Sequence, residues 1–138
     1  MKSALYLFIA WIIALIALIA SLYASEILHL PVCTLCWYQR IAIYPLVILL
    51  GIGAYTNDRG CIHYAMPFPI IGFIFAAYQY AEQMIPGFSP IQLCQQGVAC
   101  SDIHLKIAGF ITLPFLSMVA CVIIIACLLL ARACFKTR

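Results

Sequence analysis

Four long apolar stretches, separated by short polar segments, dominate the pattern of this chain. They cover about residues 4–22, 37–55, 64–81 and 110–131. Each approaches the roughly 20 residues that a helix needs to cross about 30 Å of hydrocarbon. Because only short connections and tails remain, the pattern predicts one domain over residues 1–138, an all-α integral membrane protein built as a four-transmembrane-helix bundle.

The composition agrees with lipid as the solvent of this chain. Of its 138 residues, 67% are hydrophobic and only 8% are charged, more apolar surface than a soluble domain of this size could bury. The first stretch resembles a secretory signal, with Lys2 before it and Ala24 and Ser25 after it. It is longer than the roughly 7–15 apolar residues of such signals, so we expect the helix to be retained.

The few cationic residues predict the orientation of the bundle. With a cytoplasmic N-terminus, only Arg40 and Lys106 lie outside. The cationic residues then on the inner side are Lys2, Arg59, Arg132, Lys136 and Arg138. Because Lys and Arg accumulate in cytoplasmic loops, we expect both termini inside and outer loops at about residues 23–36 and 82–109. The net charge of +3 thus reflects topology, and the loops lack the basic clusters and aromatics of nucleic-acid binding.

Cys33 and Cys36 form the sharpest local signal, a C-x-x-C where the second helix is predicted to start. Unpaired N–H groups and the helix dipole at that position favour the thiolate. The thiolate is the attacking species in disulfide exchange and also a good leaving group. The other interpretation of a lone C-x-x-C is half of a structural zinc site.

Cys94 and Cys100 form a second pair in the longer outer loop, with Gly97 between them to allow a turn. A disulfide in so small a loop can be strained, and strained, exposed disulfides are the labile ones, although an inert staple is the alternative. Two pairs facing an oxidising compartment favour redox chemistry. Zinc sites with four cysteines usually show a tighter second spacing, so we predict no metal.

Arg40 lies one helical turn after Cys36, on the same face and close to Trp37. We predict that it anchors an oxygen-bearing ring; a snorkelling arginine in an interfacial aromatic belt is the alternative. Gln79 and Gln83 end the third helix on the same side. They either face the Cys36 region or only solvate the helix end.

The remaining cysteines and the histidines receive no chemical role. Cys121 and Cys127 are predicted to be apolar core or lipid-facing residues, while Cys61 and Cys134 are inner-side thiols kept reduced. The spacing of the histidines suggests no metal site; they are His29, His63 and His104.

At these motifs the chain resembles the DsbB family of disulfide bond formation proteins, in the short, BdbC-like form. The resemblance covers nearly the whole chain, and its most specific part opens the second helix. It rests on Cys33-Thr-Leu-Cys36-Trp37-Tyr38-Gln39-Arg40, on Tyr80-Ala-Glu82-Gln83 followed by Pro86-Gly87-Phe88, on Cys94 with Cys100, and on Gly109-Phe110 with Pro114.

The resemblance implies a relay of disulfides. A thioredoxin-like extracytoplasmic thiol oxidase, DsbA-like or BdbD-like, would attack a Cys94–Cys100 disulfide at Cys94, and Cys100 would exchange with Cys33. Cys36 would lie nearest a membrane quinone, with Arg40 beside it and Trp37, Gln79 and Gln83 as further quinone-site residues. The resemblance thus implies a quinone-dependent oxidoreductase of the bacterial inner membrane that sustains disulfide formation in exported proteins.

A quinone also suits the chain on chemical grounds. An outer-face oxidant must be reoxidised by an acceptor of higher potential than glutathione. The chain carries no haem motif, flavin fingerprint or iron–sulfur spacing, so a lipid-soluble acceptor, menaquinone or ubiquinone, is expected.

Two features depart from the family pattern, and two other functions stay open. Relatives often carry a histidine where Gln79 stands, so an acid–base role there is in doubt, and the second outer loop is shorter than in longer members. Vitamin K epoxide reductase-like proteins place the C-x-x-C late in the chain, the reverse of the order here. The alternatives are a metal-binding membrane protein that uses four outer cysteines, and a structural subunit with two inert disulfides.

Overall fold

The structure, a computed structural model, describes residues 2–29, 33–85, 87, 106–107 and 111–137. Its helices are α1 (Lys2–Glu26), α2 (Thr34–Thr56), α3 (Arg59–Ala65), α4 (Pro67–Met84) and α5 (Leu113–Lys136). Two short strands, β1 (Lys106–Ile107) and β2 (Ile111–Thr112), pair antiparallel before α5. Because those strands have only two residues each, the predicted all-α class is confirmed.

Four helical spans are long and apolar enough to cross a membrane. They are α1, α2, the combined segment Arg59–Met84, and α5. Large apolar side chains cover the outside of the bundle; Ile16, Ile48 and Leu129 are 60%, 65% and 51% exposed. Such a surface is stable in lipid rather than water, so the chain is a multi-pass membrane protein, as the hydropathy predicts.

The third span begins five residues earlier than the predicted residue 64. The Asp58 side chain accepts a hydrogen bond from the Gly60 N–H at 2.9 Å, which caps α3 at its first turn. Asn57 ends α2 in the left-handed conformation at φ 51°, so the inner turn shortens to these two residues. The chain then passes through a helical Met66 into α4, whose first residue is Pro67.

The fourth span begins at Leu113, later than the predicted residue 110. Pro114 therefore lies in the first turn of α5, where its missing N–H has no helical partner to lose. Pro45, by contrast, lies inside α2.

The bundle closes as a ring in which α1 packs on α2 and α5, and α4 packs on the same two helices. A buried cluster at the end that contains the α1 start and the α2–α3 turn forms the core. Its members are Leu7, Ala10, Ala14, Leu46, Leu50, Cys61, Ile62, Ala65, Ile124, Cys127, Leu128 and Ala131. Cys121 and Cys127 are buried, at 2% and 8% exposure. The small residues in this cluster allow close approach of the helices.

Among the glycines that the structure describes, Gly53 of α2 has the tightest surroundings, because an added Cβ would collide with the sulfur of Cys61. Cys61 is buried there and donates its S–H to the Leu49 carbonyl at 3.0 Å. This contact joins α3 to the end of α2. A side chain at residue 53 would therefore force the two helices apart.

We expect Gly53→Ala to lower the free energy of unfolding by about 1–3 kcal/mol, because the added methyl group overpacks this contact. Thermal unfolding of the purified protein in detergent measures the change. Cys61→Ala removes the obstructing sulfur, so the double variant should recover most of the loss. A double variant as unstable as Gly53→Ala alone would contradict the overpacking explanation.

Candidate active site

The start of α2 brings two thiols into contact at the end of the bundle opposite the α2–α3 turn. Cys33 is the N-cap, with an extended backbone (φ −81°, ψ 168°), and its sulfur accepts the Cys36 N–H at 3.4 Å. The Cys33 and Cys36 sulfurs lie 2.8 Å apart, and both thiols are free. This geometry lets the pair close to a disulfide without rebuilding the helix.

The reduced pair is polarised. The hydrogen bond between the two sulfurs, and then burial, raise the pKa of the Cys33 thiol well above its usual range. Cys33 is only 4% exposed, at the centre of a small cluster with Leu35, Phe75 and Tyr78. The Cys33 thiol therefore holds its proton firmly in the reduced pair.

A buried amide from α4 touches both sulfurs. Gln79 Nε2 donates to Cys33 Sγ at 3.2 Å and to Cys36 Sγ at 3.4 Å. Gln39 Nε2 in turn donates to Gln79 Oε1 at 2.7 Å. Gln79 and Gln39 are 3% and 8% exposed, so this chain of hydrogen bonds is shielded from solvent.

Arg40 is held from α1. Its Nε donates to Ser21 Oγ at 2.8 Å and its Nη2 donates to the Ser21 carbonyl at 2.7 Å. The guanidinium carbon also lies 5.5 Å from the centroid of the Trp37 ring, a cation–π distance. Arg40 is 7% exposed, and no acidic side chain in the described ranges pairs with it. Its positive charge therefore stays available to the surroundings.

A cavity of about 400 Å³ lies beside these groups, between α1, α2, α4 and α5. Cys36, Gln39, Arg40 and Gln79 supply most of its polar wall, and α5 adds Ser117. The rest of the wall is apolar. On α1 it includes several small residues that leave the space open, namely Ala17, Ala20, Ser21 and Ala24.

The structure brings together four of the predicted site residues: Cys33, Cys36, Arg40 and Gln79. Trp37 stacks on Arg40 but does not line the cavity, and its ring is half exposed. Gln83 follows Gln79 by one turn of α4 and is also absent from the cavity wall. Cys94 and Cys100 lie outside the described residues.

Two residues of this site had no role in the sequence-based prediction, Gln39 and Ser21. Gln39 is a polar residue three positions after Cys36, which places it on nearly the same helix face, and this spacing was the available signal. Ser21 gives no such signal, because a serine near the end of an apolar stretch is common.

Comparisons with known proteins agree with this geometry. The family model for the disulfide bond formation protein DsbB matches residues 3–131. A probable disulfide formation protein of Coxiella burnetii (strain RSA 493 / Nine Mile phase I) is 57% identical over 126 residues, covering 91% of this chain and 86% of its own. Disulfide bond formation protein C of Bacillus subtilis (strain 168) is 47% identical over 120 residues, with 87% of each chain covered.

The likeness also holds for a relative of lower identity. A probable disulfide formation protein of Chlamydia muridarum (strain MoPn / Nigg) is 43% identical over 114 residues, which cover 83% of this chain and 82% of its own. No solved structure matches the chain. With a family model over most of its length and relatives well above 30% identity, the chain belongs to the DsbB family of disulfide bond formation proteins, which are membrane oxidoreductases.

Proposed function

We propose that this protein reoxidises an extracytoplasmic thioredoxin-like thiol oxidase and passes the electrons to a membrane quinone. The observation that carries the proposal is that Cys36 and Arg40 line the same apolar cavity, with the Cys33 sulfur directly behind Cys36. A dithiol placed at the wall of such a cavity can exchange electrons with a small apolar molecule inside it.

The cavity fits a quinone in size and in chemistry. Its volume of about 400 Å³ lies within the roughly 300–1,000 Å³ of ordinary small-molecule sites. The ring oxygens of a quinone are hydrogen-bond acceptors, and Arg40, Gln39 and Ser117 can supply donors in the wall. When bound, a quinone would supply an acceptor for two electrons and two protons.

Cys33, Cys36 and Arg40 have separate roles when the reduced pair is oxidised. Closure of the Cys33–Cys36 disulfide releases two electrons and two protons in total. Cys36 presents its sulfur to the cavity, and Cys33 completes the disulfide from behind at 2.8 Å. Arg40, fixed on Ser21 at two points, keeps a positive charge where negative charge develops.

The outer half of the relay rests on the family resemblance. A partner dithiol would attack the Cys94–Cys100 disulfide at Cys94, leaving the partner oxidised and this pair reduced. Cys100 would then attack Cys33, so that two electrons move to Cys33 and Cys36. The steps balance, because each exchange forms a disulfide in one pair and breaks the disulfide of the next pair.

The orientation of the bundle supports an outward-facing dithiol. Lys2, Arg59, Arg132 and Lys136 lie near the bundle end that contains the α2–α3 turn, since α1 begins there, α3 begins there and α5 ends there. Cys33 and Cys36 lie at the other end. By the positive-inside rule we propose cytoplasmic termini and an extracytoplasmic dithiol.

We expect Cys36→Ser to abolish quinone reduction by the purified protein, because the disulfide facing the cavity can no longer close. The assay supplies a reduced thioredoxin-like oxidase as electron donor and either a menaquinone or a ubiquinone analogue as acceptor. Cys61→Ser, which changes a buried thiol at the other end of the bundle, is the matched control and should retain turnover. Unchanged turnover in Cys36→Ser, or one tightly bound zinc per wild-type chain, would refute the proposal.

We expect Arg40→Met to raise the KM for quinone by tenfold or more, about 1.4 kcal/mol of binding free energy, since the charge is lost. Arg40→Lys should raise it less, because the charge remains but the two-point hold on Ser21 does not. Initial rates at varied quinone concentration give the KM values. Arg59→Met at the opposite end serves as the control, and an equal KM for Arg59→Met and Arg40→Met would count against a quinone site at Arg40.

A further inference from the structure

Two buried glutamines on facing helices lie at the reacting dithiol, and the relay of cysteines accounts for neither. Gln79 contacts both sulfurs, and Gln39 contacts Gln79. We propose that Gln79 is a catalytic hydrogen-bond donor that stabilises negative charge on either sulfur, and that Gln39 is a positioning residue that fixes the direction of its amide. This inference rests on the proposed function, because it assigns a role within the same dithiol.

The first argument is that one amide group reaches both sulfurs. Gln79 Nε2 carries two N–H groups and lies 3.2 Å from Cys33 Sγ and 3.4 Å from Cys36 Sγ. Hydrogen bonds to an ionised acceptor are about twice as strong as neutral ones. Because Gln79 is only 3% exposed, bulk water does not compete with its amide for hydrogen bonds. The amide can therefore support a thiolate on Cys33 or on Cys36 without moving.

The second argument concerns where the charge appears during exchange. When an outer thiolate attacks Cys33 in the Cys33–Cys36 disulfide, Cys36 leaves as a thiolate. When the mixed disulfide is then resolved by the other outer thiol, Cys33 leaves as a thiolate in its turn. Two electrons have then entered the pair. Negative charge thus develops on both sulfurs in one cycle. A donor that contacts both of them stabilises each sulfur as it leaves as a thiolate.

The third argument is that the amide must point in one direction. A rotated Gln79 would turn Oε1, an acceptor, toward the sulfurs and would repel a thiolate. Gln39 Nε2 donates to Oε1 at 2.7 Å and so selects the orientation with Nε2 on the dithiol. The other contact of Oε1 with the dithiol, from Cys36 Sγ at 3.8 Å, is long. Gln39 is 8% exposed and follows Cys36 by three residues on α2. The same helix therefore fixes Gln39 and Cys36 relative to each other.

The side-chain chemistry of Gln79 limits what it can do in this arrangement. An amide neither takes up nor releases a proton, so Gln79 does not replace an acid–base group. What it can supply is an N–H aimed at a sulfur. Its described polar contacts are hydrogen bonds to the two sulfurs and to Gln39.

The test is the reduction potential of the Cys33/Cys36 couple, measured in the purified full-length protein without quinone or partner. The protein is equilibrated in thiol–disulfide buffers, alkylated, and analysed by peptide mapping. A donor to the thiolate stabilises the reduced form and makes the couple more oxidising. We therefore expect Gln79→Leu to shift the equilibrium toward the disulfide by about tenfold, which is about 30 mV more negative for two electrons.

Gln39→Leu should shift the equilibrium in the same direction by a smaller factor, about threefold, since Gln79 remains but is no longer oriented. Iodoacetamide should also alkylate Cys36 more slowly in both variants, because less thiolate is present. Gln83→Leu, the same change one turn along α4, should alter the equilibrium less than twofold. Gln79→Met removes the amide but retains a side chain of similar length. It serves as the test if Gln79→Leu does not fold.

Unchanged potentials in both Gln79 variants would overturn the proposal, and so would a Gln83→Leu shift as large as theirs. A shift in Gln79→Leu with none in Gln39→Leu would overturn the positioning role of Gln39. Because quinone is absent from this measurement, failure of the wild-type protein to reduce quinone would refute the proposed function and leave the potentials to decide on the glutamines.

Discussion

The extended backbone of Cys33, with its sulfur turned back onto the Cys36 N–H, fixes where α2 begins and so the position of every site group that α2 carries. A helix that starts at this residue has its first unpaired N–H groups beside a sulfur, and it places the second sulfur in contact with the first. The following turn then delivers Gln39 and Arg40 to the same face. Had α2 begun one residue earlier or later, the thiol that caps it would have been replaced by an apolar or hydroxyl side chain.

Burial makes this polar group expensive, and the bundle offsets the cost locally. The buried amides and the guanidinium at the site meet acceptors: Gln39 meets Gln79, Gln79 meets the sulfurs, and Arg40 meets Ser21. The Ser117 hydroxyl in the cavity wall is buried without a hydrogen-bond partner among the described residues. An unpaired polar group inside a protein costs about 1–3 kcal/mol, so the network is stable only when complete. The polar site is thus confined to one end of the bundle, while the other end is packed by apolar and small residues. The packing that stabilises the bundle and the reactive thiols therefore lie in separate halves of the bundle.

The sequence predicted the four spans well because hydropathy alone decides which segments enter lipid. It missed the start of the third span, since Asp58 and Asn57 look like loop residues although they cap α3 and end α2. It put Arg40 on the helix face of Cys36 and left Gln79 either facing the Cys36 region or solvating the helix end. In the structure the Gln79 amide lies 3.2 Å from Cys33 Sγ, and Arg40 lines the same cavity as Cys36. Trp37 follows Cys36 by one residue, which turns it about 100° around the helix and away from the cavity. Contacts between helices, such as Gln39 with Gln79, depend on packing that no local pattern contains.

The attachment of Arg40 to α1 divides between a side chain and the main chain. One of its hydrogen bonds needs the hydroxyl of Ser21, but the other is accepted by the peptide carbonyl of that residue. The carbonyl is present whatever amino acid occupies the position. A substitution at residue 21 would therefore remove the hydroxyl contact and keep the carbonyl contact, provided α1 keeps its helical path. The guanidinium would be held less firmly but would not be released.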